Sequence, residues 1–223
     1  MNPEITEIAY ILDRSGSMEP MREPAVAAFN DFLKSQLDVP GDARLTLVQF
    51  DNAYEVPIAA RPLHEVEPLT AADYVPRGST ALLDAIGRTI KETDRRIQSL
   101  PPDQQPGKVI FAVFTDGEEN ASREFTHRHL ADLIQIYQDQ KGWAFLFLAA
   151  NQDAIATAAQ MNIRRQNSAT IEKATLGMAR HSSRAFSRKI RAMRTFNQAS
   201  AAPDLGASME QLLREEEGRE ILD

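Results

Sequence analysis

Residues 5–17, ITEIAYILDRSGS, decide how the rest of the chain is read. Ile5 to Leu12 is an apolar run broken only by Thr6 and Glu7. It is short enough for a strand and lacks the alternation of a half-solvated one, so it reads as a strand buried on both faces. It stops at an acid. Asp13-Arg14-Ser15-Gly16-Ser17 then sets a carboxylate and two hydroxyls at every second position. Alternate side chains of an extended segment point the same way, so these three oxygens can converge on one point. Gly16 lets the backbone curl around that point.

The same signature recurs downstream. Val109 to Phe114 is a continuous apolar run that halts at Asp116, and Trp143 to Ala150 is another, halting at Asn151. Between the runs lie helical patterns. Val26, Phe29, Leu33 and Leu37 recur at spacings of three and four, as do Leu83, Ile86 and Ile90, with Ile97 two turns further on. Ser79 or Thr80 is placed to cap the second of these helices, Thr126 opens a third, and Asp153 caps a short fourth. Ile163 begins a last short extended segment, and Ile171 to Met193 reads as the final long helix. Leu45, Leu47 and Phe50, then Tyr54, Val56 and Ile58, flank an Asp51-Asn52 turn and form an antiparallel hairpin at the sheet edge. The expected fold is therefore α/β: a Rossmann-like open, mostly parallel sheet with an antiparallel edge strand and helices on both faces. The expected domain is residues 1–196, with 197–223 a linker followed by an acidic tail or short helix.

Composition narrows the function classes. The 223 residues contain no cysteine, which excludes disulfides, thiolate metal sites and a cysteine nucleophile. The first residues are acidic rather than basic and no run approaches the roughly 20 apolar residues of a membrane span, so a soluble, cytoplasmic protein is expected. A formal charge of −7 argues against nucleic acid as partner. The charge is uneven: residues 161–196 carry nine Lys/Arg against one acid, and 197–223 carry two against seven acids. Arg180, Arg184, Arg188 and Arg191 form a stripe on the last helix, a solvated face or a docking face for the acidic tail or an acidic partner.

In open parallel sheets ligands bind beyond the carboxyl ends of the strands, where the strand order reverses. Two of the buried strands deliver Asp13 and Asp116 to that edge, and Gly78-Ser79-Thr80 offers a further hydroxyl between them. Taken singly these are turn and cap residues; their weight is collective. Carboxylates with neutral hydroxyls are hard donors, suited to Mg²⁺, Mn²⁺ or Ca²⁺ rather than zinc. His127 and His129 lack the third ligand a zinc site requires.

Three segments, Ile-Leu-Asp13-Arg-Ser15-Gly-Ser17-Met, Gly78-Ser-Thr80 and Phe-Thr-Asp116-Gly, resemble the metal-ion-dependent adhesion site of the von Willebrand factor type A family. The resemblance spans about residues 4–195 in element order. It implies that Asp13 and Asp116 anchor a Mg²⁺-type cation, Asp116 through water, and that Ser15, Ser17 and Thr80 supply hydroxyls. It further implies an open coordination position for a partner's Asp or Glu carboxylate. Intracellular members of the family often serve AAA+ ATPases as adaptors, so such an ATPase, or a larger complex, is an expected partner. Glu118 and Glu119 follow Asp116 as solvated loop residues or partner contacts. The competing readings are a metal-dependent phosphotransfer or hydrolytic enzyme built on the same oxygens, and a metal-independent assembly subunit. The enzyme reading meets obstacles: Ser15 occupies the place of the second acid, no lysine follows Asp116 before Lys141, and no nucleophile elbow is present.

Overall fold

In the computed structural model, which describes residues 1–116, 118–150, 154–171, 176–195 and 202–220, the opening run becomes strand β1 (Asn2–Asp13). It lies in the middle of a six-stranded sheet with β2 (Asp42–Phe50), β3 (Tyr54–Pro62), β4 (Pro106–Thr115), β5 (Ala144–Ala149) and β6 (Ser168–Thr170), in the order β3-β2-β1-β4-β5-β6. All neighbours are parallel except β2 and β3, which form the expected antiparallel hairpin at one edge. The chain grows the sheet to one side through β2 and β3, then returns across β1 to place β4 on its other side. The strand order therefore reverses between β1 and β4.

Central position explains why the run does not alternate. Ile8, Tyr10 and Leu12 face one core, with Phe29 and Phe32 of α1 (Arg22–Leu37) and Phe186 of α5 (Leu176–Arg194). Tyr10 meets Phe29 edge-on at 5.3 Å and Phe32 at 5.0 Å between ring centroids. Ala9 and Ile11 face the opposite core, with Ile86 and Ile90 of α2 (Leu82–Ser99) and Leu130 and Ile134 of α3 (His127–Lys141). That second layer is completed by α4 (Ala154–Gln160), and in it Phe111 stacks between Trp143 and Phe145. Glu7, the acid inside the run, is fully buried and answered by Arg96, with Nη2 2.6 Å from Oε2. Burial pushes its carboxyl above the usual range against the pull of that guanidinium.

Several boundaries differ from the sequence expectation. Neither Ser79 nor Thr80 caps α2: the helix starts at Leu82 behind Ala81, and no side chain of the cap residue serves it. Its first N–H groups are taken instead from a distant loop. Glu119 Oε2 accepts from Leu83 N at 2.9 Å and Ser122 Oγ from Asp84 N at 3.0 Å. Thr126 does cap α3, accepting from His129 N, and Gly142 ends that helix at φ 66°. The last extended segment is β6, reached through a 3₁₀ turn at Arg165–Asn167 rather than starting at Ile163. Helix α5 is described from Leu176, the four residues before it lying outside the described residues, and Leu37 of α1 is exposed. Asn151 and Asp153, read above as strand end and cap, lie outside the described residues.

Beyond residue 201 the chain forms α6 (Ala202–Gly206) and α7 (Met209–Glu220). Met209, Leu212 and Leu213 are buried in the same core as Tyr10 and Phe186. The basic stripe of α5 is used here. Arg188 donates to Asp204 (2.7 Å), Glu215 (2.9 Å) and Glu216 (2.9 Å), which holds its guanidinium charged. Lys189, also buried, donates to the carbonyls of Leu205 (2.8 Å) and Ala207 (2.6 Å), closing the end of α6. Arg184 and Arg191 are exposed, and the side chain of Arg180 lies outside the described residues.

Candidate metal centre

Sheet register sets the distance between the two acids. Leu12 of β1 lies opposite Phe114 of β4, so Asp13 and the Thr115-Asp116 pair leave the sheet side by side at the reversal of strand order. Both acids are buried, Asp13 at 0% and Asp116 at 4% exposure. Thr115 Oγ1 donates to Asp13 Oδ2 at 2.5 Å, and the backbone N–H of Ser15 to Asp13 Oδ1 at 2.6 Å. That second bond turns the chain just after the strand, as an aspartate accepting from the residue two positions on does. The turn carries Ser15 and Ser17 to the same side. Their hydroxyl oxygens are 3.0 Å apart, and Ser17 Oγ donates to Asp116 Oδ1 at 2.7 Å. Asp13, Ser15, Ser17 and Asp116 are thus joined through short hydrogen bonds between two strands.

Thr80 arrives from the other side on a long proline-containing loop, residues 63–81, with few secondary-structure bonds of its own. Side chains of the scaffold hold it. Asn30 of α1 pairs with the backbone of Leu69 in both directions, accepting at 2.8 Å and donating at 2.9 Å. Arg22 donates to the carbonyl of Tyr74 at 3.0 Å and Gln49 to that of Asp73 at 3.0 Å. Tyr74 is buried, and its hydroxyl donates to the backbone carbonyl of Asp13. Burial and the nearby charges of Asp13 and Asp116 hold that phenol well above its usual range, so it stays a donor.

The loop then meets the first motif directly: Arg77 N donates to Arg14 O at 2.7 Å and Gly16 N to Gly78 O at 3.1 Å. Gly78 sits at φ 69°, in the left-handed region. A Cβ there would lie 2.2 Å from Asn52 Oδ1, an exposed side chain able to swing aside. Gly78→Ala should therefore cost about 1–2 kcal/mol through the backbone conformation, read as a lowered thermal unfolding midpoint. An unchanged midpoint would show that the loop relaxes freely.

The loop after Asp116 closes the arrangement. Asn120 takes both backbone groups of Thr80, its Oδ1 accepting from Thr80 N at 2.9 Å and its N donating to Thr80 O at 3.0 Å. Of the two acids expected in that loop, Glu118 is exposed. Glu119 is consumed as a brace: besides capping α2 it accepts from Ala121 N (3.0 Å), Ser122 N (2.7 Å) and Ser122 Oγ (2.7 Å). Asp84 of α2 returns the brace by accepting from the N–H groups of Arg123, Glu124 and Phe125, each at 2.8–2.9 Å. Tyr74, Asp84, Thr115 and Asn120 were missed by sequence reasoning. Only Thr115, adjacent to an acid at a strand end, carried a usable signal.

The electrostatics fit a cation. Burial, with a smaller contribution from Asp116, pushes the Asp13 carboxyl up to about 6, against the hydrogen bonds from Thr115 and Ser15 that favour its charged form. No ion pair reaches Asp13 among the described residues, and the nearby Arg14 turns away to Asp51 and Glu55. The expected donor set is two carboxylates and three hydroxyls, of which Asp13, Ser15, Ser17 and Asp116 are joined here and Thr80 is held by its backbone; no group of three or more His, Asp or Glu stands together among the described residues. All-oxygen donors of this kind suit Mg²⁺, Mn²⁺ or Ca²⁺. Glu118 shares no hydrogen bond with the cluster among the described residues, and neither do the arginines of α5.

No protein-family model matches the chain, and no curated protein matches it by sequence. Solved structures do match its fold. A von Willebrand factor type A protein from Catenulispora acidiphila is 13% identical over 84% of this chain, with a TM-score of 0.58. Proximal thread matrix protein 1 from the mussel byssus is 12% identical over 85%, with a TM-score of 0.54. The ArnB paralog VWA2 from Sulfolobus acidocaldarius is 15% identical over 85%, with a TM-score of 0.51. The chain spans under half of each of these structures, 43%, 46% and 45% respectively. It has the von Willebrand factor type A fold. No helix among the described residues is long and apolar enough to cross a membrane.

Proposed function

We propose that this chain is a metal-dependent protein–protein interaction module. Asp13, Ser15, Ser17, Thr80 and Asp116 would hold one divalent cation of the Mg²⁺ class, and an Asp or Glu carboxylate of a partner protein would complete its shell. The observation that carries this reading is the buried Asp13 carboxyl, which is joined through Ser15 and Ser17 to Asp116 and which no ion pair reaches among the described residues. A bound cation supplies that charge and a site of attraction for an external acid. The chain's own residues do the rest. Thr115 and the Ser15 N–H orient the Asp13 oxygens, and Tyr74 fixes the backbone behind them. Ser17 is exposed beside these buried groups, so the cluster is open to another molecule on that side.

We read the module as an intracellular adaptor, with an AAA+ ATPase or a larger assembly as the partner. An enzyme using the same oxygens is the alternative. It is disfavoured by Ser15, which stands where a second acid would be needed and whose hydroxyl is engaged with Ser17. The test is affinity capture from a cytosolic extract with and without EDTA, wild type beside Asp13→Ala. A protein retained only by the wild type, and only with divalent metal present, is the expected result. A partner held equally in all four conditions would overturn the metal-dependent reading. Phosphatase or nucleotidase turnover lost in Asp13→Ala would favour the enzyme.

A further inference from the structure

The metal-site loops are bound to one another by a ring of four charged side chains that contains none of the five expected ligands. Arg14 occupies the second place of the first motif and is almost fully buried. Its Nε donates to Asp51 Oδ2 at 3.1 Å, and its Nη1 donates to Glu55 Oε2 at 2.8 Å, with Nη2 2.6 Å from Oε1. Arg77, three residues before Thr80, repeats the pattern from the opposite side. Its Nε donates to the same Asp51 Oδ2 at 2.9 Å and its Nη2 to Glu55 Oε1 at 2.8 Å. Asp51 and Glu55 flank the β2–β3 turn, and Asp51 Oδ1 accepts from Ala53 N at 2.5 Å. Two guanidinium forks thus share one pair of carboxylates. Fork-to-carboxylate pairing constrains angle as well as distance.

The backbone follows the same seams. Arg14 N donates to Phe50 O at 2.8 Å, Ala81 N to Asp51 O at 3.0 Å, and Arg77 N to Arg14 O at 2.7 Å. Asp13 and Asp116 are set by strand register, which the hydrophobic cores determine. Thr80 and the serines ride on loops, and loops take their spacing from bonds of this kind. Resting on the metal-dependent reading above, we propose that Arg77 and Glu55 are positioning residues. They hold the Thr80 loop at the distance from Asp13 and Ser15 that a cation requires, and so set metal affinity without touching the metal. The exposed arm separates this role from folding. Arg77 is 56% and Glu55 50% exposed, whereas Arg14 and Asp51 are buried at 6% and 1%. Exposed ion pairs contribute little to stability. Their removal should leave the cores intact while freeing the loop.

The experiment is calorimetric titration of the full chain with Mn²⁺, alongside thermal unfolding of the metal-free protein. The variants are Arg77→Gln, Glu55→Gln, the double variant and Arg77→Lys. Each single Gln variant should weaken Mn²⁺ binding about tenfold, in the range known for supporting residues of metal sites. The metal-free midpoint should stay close to wild type in Arg77→Gln, which leaves the buried Arg14 both of its carboxylates. The double variant should be weaker than either single one but by less than the product of their effects, because the two share the Arg77–Glu55 link while each also loses one of its own. Arg77→Lys, which keeps the charge but loses the fork, should recover only part of the affinity. Wild-type affinity in both single Gln variants would overturn the inference while leaving the metal site standing. A drop in affinity matched by an equal loss of metal-free stability would also overturn it, since the ring would then be ordinary scaffolding. A wild-type chain that binds no Mn²⁺ would overturn the metal reading and the inference with it.

Discussion

Removing residues 202–223 is expected to abolish the cooperative unfolding of this domain or leave it insoluble. The segment looks expendable by composition, with acids in a row at Glu215, Glu216 and Glu217. Its packing says otherwise. Met209 and Leu212 are fully buried and Leu213 nearly so, against the core that holds Tyr10, Phe29 and Phe186. Burying a side chain of this size contributes about 1.5–3 kcal/mol, so these three alone account for roughly 5 kcal/mol or more. That approaches the whole stability of a typical domain, about 5–15 kcal/mol. The deletion would also strip Lys189 of the carbonyls of Leu205 and Ala207, and Arg188 of three carboxylates. A buried cation left without its partners adds its own desolvation cost. Circular dichroism melting of the truncated chain, against wild type, measures the outcome. A truncated protein with a sharp transition within a few degrees of wild type would show that α7 is an ornament on a self-sufficient core.

The second large effect concerns Asp13. Replacing it with Ala removes one of the two carboxylates in the expected donor set, and Mn²⁺ affinity should fall by more than about a hundredfold, beyond the 10–100-fold seen when only a supporting residue is lost. Asp13→Asn should do the same to metal binding, yet change metal-free stability in the opposite direction. The folded-state carboxyl is raised, to about 6, above its ordinary value near 3.8. Its stabilising contribution is therefore complete at pH below about 4 and is lost as pH rises through 6. At pH 7–8 the metal-free wild type carries a buried charge it would be more stable without. Asp13→Asn should melt higher than metal-free wild type at that pH and show a flatter stability profile between pH 4 and 7. Wild type in saturating Mn²⁺ should overtake it. An Asn variant that melts below the metal-free wild type at pH 8 would contradict this account of the site.

The parts of this architecture readable in the sequence are those written in short-range periodicity. Ile5–Leu12, Val109–Phe114 and Trp143–Ala150 declare themselves as buried strands because both their faces are apolar, and their order with the intervening helices gives the parallel sheet. Asp13, Ser15, Ser17 and Asp116, which the structure joins, could be named from the sequence because each stands at a strand end or in a turn built of small residues. What was not legible depends on partners far away in the chain. Glu119 looked like a free acid; it caps α2 from 36 residues away. Thr80 looked like a helix cap, but Asn120 takes its backbone groups, and Ala81 ends the approach. Arg188 stood in a stripe that could be a solvated face or a docking face for the acidic tail, and only the fold decides for the tail, by closing Asp204, Glu215 and Glu216 on it. Met209, Leu212, Leu213 and Glu216 share one helical face, a pattern present in the sequence and masked by the charge around it. The role of Arg14 was hidden for the same reason: the spacing of its motif speaks for residues 13, 15 and 17, and nothing local says where the side chain between them goes.

The central placement of β1 has a consequence for how the protein is made. β1 leaves the ribosome ahead of the other strands of its sheet, and β2 can pair with one of its edges soon afterwards. Its other edge waits for β4, since Asp13 and the Thr115 that bonds to it are 102 residues apart in sequence. At about 5–20 residues per second that wait lasts roughly 5–20 s. Throughout it a strand with two apolar faces shows an open hydrogen-bonding edge, the condition under which nascent chains pair wrongly. The same gap dates the site, because no cation can find both carboxylates until β4 has come home. A newborn copy of this protein thus exposes its most apolar edge before its candidate metal site can exist.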